Sequence, residues 1–217
     1  MKPYYEHGGI TIYHGDCREV LPALAPGSVD LVLSDPPYGI DYDASTSSQR
    51  GITKFAQIAG DTEQFDAEPF LSFPDVLLWG ANHFAHSLPQ RSGQFYCWDK
   101  VCSNGMDVRI AECEFCWHKL GTKPRVFRHL WSGAYRASES GTTRLHPNQK
   151  PVALMKWCIQ LSPREGTILD PFMGSGSTLR AAKDLGRRAI GIELSEEYCE
   201  RAANRLRQEV LFPAEVA

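Results

Sequence analysis

The chain has 217 residues, 42% of them hydrophobic and 23% charged, which suits one domain and excludes collagen-like, coiled-coil and largely disordered classes. No apolar run approaches the ~20 residues of a membrane-spanning helix, and the first residues lack the apolar stretch of a signal peptide. Seven cysteines, an odd number, favour reduced thiols in a cytoplasmic protein, and a net charge of −3 at first argues against a nucleic-acid partner.

The first part of the chain predicts the beginning of an α/β sheet. A strand is expected at 10–14, a short helix from about Cys17, and a second strand at 29–34. The second run is almost continuously apolar, which is typical of a strand buried on both faces of a parallel sheet.

The tetrapeptide Asp35-Pro36-Pro37-Tyr38 directly follows that buried strand. Its two prolines fix the backbone and lack N–H donors, so the Asp35 carboxylate and the Pro36 carbonyl remain as a rigid pair of acceptors. This pair suits a planar amino group on a heteroaromatic ring, with the ring stacked on Tyr38. Hydrogen bonds to both acceptors would draw the nitrogen toward tetrahedral geometry and make its lone pair nucleophilic. A turn that merely closes a strand would leave Asp35 and Tyr38 unexplained.

Residues 41–64 are polar and rich in Ser, Thr, Gln and Gly, and they predict a mobile loop. Loops of this length are uncommon in compact domains and are often functional. Because the loop contains Arg50 and Lys54, we expect it to close over a nucleic acid. An insertion without a role is the alternative.

The middle of the chain predicts strands near 75–79, 94–98, 113–117 and 125–131. Between His118 and Lys150, seven basic side chains stand against the single acid Glu139, a net charge of +6, while the remaining residues sum to −9. Aromatic side chains are interleaved with these cations, a mixture that suits phosphates and bases. Segment 97–145 is therefore a candidate nucleic-acid surface, with candidate contacts at Lys123, Arg125, Arg128, Arg136 and Arg144. A solvated strand pair with its aromatics in the core is an equal alternative.

Four cysteines in the same region allow a hypothesis of another class, a non-catalytic binding module that holds zinc. They are Cys97, Cys102, Cys113 and Cys116, and only the last two have the spacing of zinc ligands. Strand alternation would place Cys113 and Cys116 on opposite faces, so we expect no metal here.

The last third of the chain predicts alternating helices and strands. We expect a helix from Pro151 to about Leu161, a strand at 167–169, a helix from Ser177 to Leu185 closed by Gly186, a strand at 188–192, and a helix capped by Ser195. This alternation predicts βαβ units and, with the first strands, an α/β fold with a Rossmann-like, doubly wound, mostly parallel sheet.

The motif Asp170-Pro-Phe-Met-Gly-Ser-Gly-Ser-Thr178 lies between a strand and a helix, where open α/β sheets bind ligands. Glu193, 23 residues after Asp170, ends the next strand and is placed to accept hydrogen bonds from two ribose hydroxyls. The motif lacks the lysine of a phosphate-binding P-loop and, with Leu179, the third glycine of a dinucleotide fingerprint. Asp170 would also repel a pyrophosphate. A cationic cofactor without phosphates, S-adenosylmethionine, fits best.

The sequence His146-Pro-Asn-Gln-Lys-Pro151 precedes the helix at 151–161. Lys150 is a candidate for binding the cofactor's carboxylate, as a point charge near a helix start. The alternative is an exposed lysine at a helix entry.

Together these motifs, in the order Asp-Pro-Pro-Tyr, His-Pro-x-Gln-Lys-Pro, Asp-Pro-Phe-x-Gly-Ser-Gly-Ser-Thr and Gly-Ile-Glu, resemble the amino-methyltransferases of DNA, in particular their circularly permuted beta group. The resemblance covers nearly the whole chain. It implies a single class I methyltransferase domain over 1–217, with the sheet cut between its second and third strands. Little or no separate recognition domain is expected, because 97–145 must supply both sheet strands and any recognition surface.

The resemblance also implies roles for particular residues. Asp35, Pro36, Pro37 and Tyr38 would be catalytic; Asp16 would contact the cofactor's adenine, Glu193 its ribose and Lys150 its carboxylate end. The full set expected around the cofactor is Asp16, Cys17, Asp35, Lys150, Asp170, Phe172, Gly174, Ser175, Gly176 and Glu193.

The implied activity is methyl transfer from S-adenosylmethionine to the exocyclic amine of a base flipped out of DNA. An Asp at the first position of the tetrapeptide is usual for adenine enzymes, so adenine N6 is expected. The alternatives are cytosine N4 or an RNA N-methyltransferase, although the motif order disfavours RNA. Methylation at cytosine C5 would require a nucleophilic cysteine, which in that family follows a proline. No cysteine of this chain follows a proline, so this class is excluded. We expect DNA as the partner, no membrane, a homodimer as one option, and a prokaryotic or phage-encoded restriction-modification enzyme in the cytoplasm at the nucleoid.

Overall fold

A computed structural model describes residues 1–41, 60–102, 111–132, 135–141 and 145–208. Within these ranges the secondary structure elements are β1 Tyr5–His7, β2 Ile10–His14, α1 Cys17–Val20, β3 Leu31–Ser34, β4 Asp75–Trp79, β5 Gln94–Asp99, β6 Cys113–His118, β7 Arg125–Arg128, β8 Trp131–Ser132, β9 Tyr135–Arg136, α2 Val152–Leu161, β10 Ile168–Asp170, α3 Ser177–Asp184, β11 Ala189–Glu193 and α4 Glu196–Arg207. The predicted strand at 125–131 is interrupted after Arg128. Among the described residues, α4 is the longest helix, with 12 residues, and none is long and apolar enough to cross a membrane.

Nine of the described strands form one sheet in the order β1-β2-β11-β10-β3-β4-β6-β5-β7, while β8 and β9 form a separate ribbon. The five strands from β2 to β4 are parallel to one another. Strand β1 is antiparallel to β2, and β6 is antiparallel to both of its neighbours. This confirms the predicted α/β fold with a doubly wound, mostly parallel sheet.

Both faces of the sheet are covered, which explains the continuous apolar run before Asp35. All four residues of β3 are buried. Leu31 and Leu33 belong to a core shared with α2, α3 and α4, whereas Val32 belongs to a core on the opposite face with Val20 of α1. Alternate side chains of one strand therefore enter two different cores.

Two helix starts differ from the prediction. Pro151 occupies the N-cap of α2 rather than its first turn, because its backbone is extended. The Glu139 carboxylate instead accepts a hydrogen bond from the Val152 N–H at 2.8 Å. Ser195 occupies the N-cap of α4 as predicted, but its side chain makes no capping bond.

Strand β6 extends beyond its neighbour at the carboxyl edge of the sheet. It pairs with β4 only through 116–118, but with β5 along all of 113–118. The residues 113–115 therefore overhang the end of β4. Because Ser34 of β3 pairs with Leu78 of β4, this overhang lies beside the residues that follow β3.

Candidate active site

The parallel strands β2, β3, β10 and β11 all end at the same edge of the sheet, where a cavity of about 910 Å³ opens. The polypeptide turns after these strands bring together residues that are far apart in sequence. Those predicted residues that line the cavity are Asp16, Cys17, Asp35, Pro36, Pro37, Tyr38, Phe172, Gly174 and Glu193.

A smaller cavity of about 40 Å³ adjoins the first and shares Asp35, Phe172 and Gly174 with it. Three further predicted cofactor residues line this smaller space: Lys150, Asp170 and Ser175. Together, the two cavities are lined by every predicted catalytic and cofactor residue except Gly176.

The Asp35 carboxylate is engaged at both oxygens. Tyr38 Oη donates to Oδ1, and Lys150 Nζ donates to Oδ2. Burial raises the pKa of Asp35 above its ordinary value, and the neighbouring ammonium offsets only part of this effect. Burial also raises the pKa of Tyr38 well above that of a free phenol, with the Asp35 charge acting in the same direction.

Lys150 lies between two carboxylates, with its side chain only 7% exposed. Besides Asp35, its Nζ lies 3.1 Å from Glu114 Oε2, and Lys100 Nζ lies 2.7 Å from Glu114 Oε1. Burial disfavours the ammonium, but the two carboxylates outweigh this and raise the pKa of Lys150. Lys150 therefore binds the predicted catalytic carboxylate, and its contact with a cofactor carboxylate stays a prediction.

Asp61 holds the backbone of the turn at Asp35–Tyr38, a role that sequence reasoning missed. Its Oδ1 accepts hydrogen bonds from the N–H groups of Tyr38 at 2.8 Å and Gly39 at 2.9 Å. Asp61 falls in the predicted loop at 41–64. Within that loop 42–59 lies outside the described residues, so the expectations for Arg50 and Lys54 stay predictions.

The Tyr38 ring packs against two residues of the turn that follows β4. It stacks on the exposed His83 imidazole, with the ring centroids 4.8 Å apart and an angle of 12° between the planes. Gly80 leaves room for the ring, since a Cβ there would lie 1.9 Å from Tyr38 Cε1. Neither His83 nor Gly80 belongs to a motif by which the sequence could reveal it.

Two carboxylates lie on the predicted cofactor side of the large cavity. Glu193 accepts hydrogen bonds from Gly174 N–H at 3.0 Å and Ser195 N–H at 2.8 Å, one on each oxygen. Burial raises the pKa of Glu193 despite these bonds. Asp16 accepts hydrogen bonds from the Arg18 guanidinium and from its N–H at 2.8 Å, and these bonds lower the pKa of Asp16.

Asp170 is buried next to Ser34, the residue that precedes the turn at Asp35–Tyr38. Its Oδ1 accepts hydrogen bonds from Ser34 Oγ at 2.6 Å and from the Phe172 N–H at 3.2 Å, while burial raises the pKa of Asp170 to about 6. Gly176 lines neither of the two cavities. A Cβ on Gly176 would lie 2.9 Å from the Ala202 Cβ, so this glycine lets α3 pack closely on α4.

The predicted nucleic-acid residues lie mainly at the far edge of the sheet, on or near β7. Arg125 pairs in register with Tyr96, which is level with Trp79 at the end of β4. Arg128, three residues further on, stands beyond this level, toward the edge of the sheet where the cavities open, and its side chain is 71% exposed. Lys123 is exposed just before the strand. Arg144 lies outside the described residues.

The aromatic residues of this basic segment favour the alternative interpretation, a solvated strand pair with its aromatics in the core, over a nucleic-acid surface. Trp117 and Trp131 are buried in the core, and Phe127 packs on Trp157 of α2. The Arg136 guanidinium lies 5.1 Å from the centre of the Trp131 ring. Tyr135, at 63% exposure, remains open to solvent.

The cysteines considered for zinc are free thiols. Cys97 and Cys113 are partly exposed, whereas Cys116 is buried on the face toward α2. In the described part of the chain no three potential ligands cluster around a point that could hold a metal ion.

Comparisons with known proteins agree with this geometry. Residues 98–205 match the DNA methylase family. The Type II methyltransferase M.ScaI of Streptomyces caespitosus is 29% identical to this chain, covering 96% of it and 84% of the relative. In fold, the chain is similar to the PvuII DNA methyltransferase (cytosine-N4-specific), with a TM-score of 0.62, 17% identity, and coverage of 100% of this chain and 91% of that one. It is also similar to the crystal structure of the M1.HpyAVI–SAM complex, with a TM-score of 0.57, 22% identity, and coverage of 92% and 100%.

Proposed function

Because the chain belongs to the DNA amino-methyltransferase family, whose members act on adenine N6 or cytosine N4, we propose that it methylates the N6 amine of adenine in DNA. The observation that carries this proposal is the position of Asp35. Its carboxylate follows a buried strand, lines both cavities and lies beside the Tyr38 ring. A flipped base that stacks on Tyr38 would bring its amine to this carboxylate.

The cavity residues fit S-adenosylmethionine, which supplies an activated methyl group when bound. Glu193 has lone pairs left on both oxygens for ribose hydroxyls, because each oxygen accepts one backbone hydrogen bond. Asp16 and Phe172 line the same space, where the adenine ring would be held. S-adenosylmethionine has no phosphate group, which agrees with a site that has carboxylates at its edge.

The chain's own residues prepare the amine for attack. Asp35 and the Pro36 carbonyl accept one amine hydrogen each, so that the nitrogen lone pair leaves conjugation with the ring. Positioning and electrostatics then supply most of the rate, without a covalent enzyme intermediate. When the nitrogen gains its methyl group it must lose one proton, and Asp35 is the nearest acceptor. Its raised pKa favours this role.

Adenine is proposed over cytosine because Asp rather than Ser begins the tetrapeptide. Cytosine N4 is the second candidate, since the PvuII enzyme, named as cytosine-N4-specific, has a similar fold. Both amines present two hydrogens to the same acceptors. The choice between the bases must therefore come from the ring and its flanking contacts.

The test is to incubate purified protein with unmethylated DNA and S-adenosylmethionine and to map modified bases by single-molecule sequencing. We expect N6-methyladenine at a defined motif. N4-methylcytosine would disprove the choice of base, and the absence of both modifications would disprove the proposed function.

Two variants complete this test. We expect Asp35→Ala to abolish methylation, and persistence of transfer in this variant would rule out the catalytic role of Asp35. Glu200→Gln alters an exposed carboxylate on α4 outside the site and should methylate like the original protein.

A further inference from the structure

Glu114 stands in the overhang of β6, on the face of the sheet where Lys150 and the Asp35–Tyr38 turn lie. It pairs across the strands with Trp98, which is 1% exposed, and the Glu114 Oε2 atom is buried. A carboxylate rarely occupies such a position unless a cation is paired with it. The motifs of the family resemblance do not include this residue.

Two ammonium groups meet the two carboxylates of this cluster. Lys150 Nζ contacts Asp35 and lies 3.1 Å from Glu114, and Lys100 Nζ lies 2.7 Å from the other oxygen of Glu114. Burial disfavours the charged Glu114, but the two ammonium groups outweigh it and lower the pKa of Glu114 to about 2. The four charges cancel.

Asp35 loses its negative charge when it takes the proton that the methylated amine gives up. Each of its oxygens accepts one hydrogen bond, from Tyr38 or from Lys150, and keeps a lone pair for the hydrogen of an incoming amine. If Asp35 were the sole counter-ion of Lys150, protonation of Asp35 would leave a buried ammonium without a charged partner, which is strongly unfavourable. Glu114 provides the second counter-ion that removes this obstacle.

We propose that Glu114 is a positioning residue, which keeps the Lys150 ammonium in place while Asp35 accepts the hydrogen bond of the base amine and then its proton. This inference rests on the proposed function, since it assigns Asp35 to the amine. The Lys100 ammonium in turn neutralises the charge of the Glu114 carboxylate. The cluster thus consists of two ammonium groups and two carboxylates, and Asp35 is the carboxylate that faces the substrate.

The test compares Glu114→Gln with Lys100→Met, using Glu200→Gln as the matched exposed control. For each variant we would measure kcat and KM for DNA methylation, the binding of S-adenosylmethionine, and the pH dependence of kcat. We expect Glu114→Gln to lower kcat at least tenfold, with cofactor affinity within threefold of the original, because the residue does not line the large cavity.

The pH dependence distinguishes positioning from simple structural support. The groups around Asp35 that carry or can gain charge are Tyr38, Glu114, Cys116, Lys150 and Asp170. The Glu114 charge raises the pKa of Asp35, so the acid limb of the kcat profile should move to lower pH in Glu114→Gln. Lys100→Met leaves Glu114 less neutralised, and the limb should move to higher pH.

A titration of the Asp35 carboxyl carbon by NMR in the same variants separates the two proposals, since it requires no catalysis. Opposite shifts of Asp35 in the two variants would support the coupling even if the original protein failed to methylate adenine, in which case only the proposed function would be wrong. Unchanged kcat and an unmoved acid limb in Glu114→Gln would overturn the positioning role. If Glu114→Gln fails to fold, the shift in Lys100→Met decides.

Discussion

At the scale of single residues, the position of the Tyr38 ring depends on a glycine 42 residues further along the chain. Gly80 has a φ of +74°, and a Cβ there would fall within the Tyr38 ring. An alanine would therefore incur both the cost of a left-handed backbone, about 1–2 kcal/mol, and the displacement of the ring.

We expect Gly80→Ala to lower kcat for methyl transfer at least tenfold, because Tyr38 also bonds to Asp35 and cannot keep its place. The matched control is Gly186→Ala. Gly186 has a similar φ of +67°, but nothing lies within 4 Å of its Cβ position. Gly80→Ala should lose more stability than Gly186→Ala in thermal unfolding, because only Gly80→Ala also displaces a ring, and equal kcat values in the two would contradict the role given to Gly80.

The residues that the sequence identified and those that it missed differ in how local their signal is. Asp35, Tyr38 and Glu193 stand in short motifs at the ends of apolar strands, where strand alternation and glycine spacing are readable. Asp61 and Glu114 act through contacts with residues that are distant in sequence. No periodicity encodes such a contact, although a carboxylate on the buried face of a strand is itself a signal.

At the scale of secondary structure elements, α2 is fixed by the one acid of the basic segment. Glu139 accepts hydrogen bonds from the Val152 N–H at 2.8 Å, from Gln149 at 3.0 Å and from Arg205 of α4 at 2.9 Å. It thereby joins the start of α2, the Lys150 motif and α4 at a single carboxylate.

We predict that Glu139→Gln lowers the free energy of unfolding by about 1–3 kcal/mol, because the amide group cannot satisfy all three donors and leaves Arg205, 11% exposed, without its carboxylate. Urea unfolding would measure the loss. The same change at the exposed Glu200 should cost far less, and equal costs at both positions would refute this account.

The elements themselves were largely predictable, but their order in the sheet was not. In the last third of the chain, the apolar runs, together with Pro151 at a helix start and Gly186 at a helix end, predicted the bounds of the strands and helices to within a few residues. The insertion of β6 between β4 and β5 follows from pairing over distance, and the overhang that carries Glu114 depends on that register.

At the scale of the whole molecule, a second polar cluster holds the opposite end of β4. Asp75, which is fully buried, accepts hydrogen bonds from Ser162 Oγ at 2.6 Å and from the His118 ring at 3.0 Å, and Tyr96 contacts the other ring nitrogen at 2.7 Å. This cluster joins β4, β5 and β6 to the end of α2.

We expect Asp75 to make stability depend on acid pH. Burial raises the pKa of Asp75, but the bonds from His118 and Ser162 more than offset it, so the pKa lies below its ordinary 3.8. The contribution of Asp75 is therefore complete above about pH 4 and is lost as the pH falls through the lower folded value.

Urea unfolding between pH 2 and 7 tests this expectation. Asp75→Asn should be less stable by about 1–3 kcal/mol at neutral pH and should show a shallower loss toward acid than the original protein. Glu200→Gln should follow the original curve. Parallel acid slopes for the original protein and Asp75→Asn would show that Asp75 does not supply this dependence.

The order of the sheet has a consequence for how the chain reaches its folded state. Strands β2 and β3 follow each other in sequence, yet β11 and β10 lie between them, which separates them by about 14 Å at ~4.8 Å per strand. During synthesis β2 and β3 emerge without β11 and β10, the strands that lie between them, since those are made more than 130 residues later. The central sheet must therefore assemble late and through contacts of long sequence separation, which makes folding slow and leaves the early strands exposed to aggregation until the last third of the chain is available.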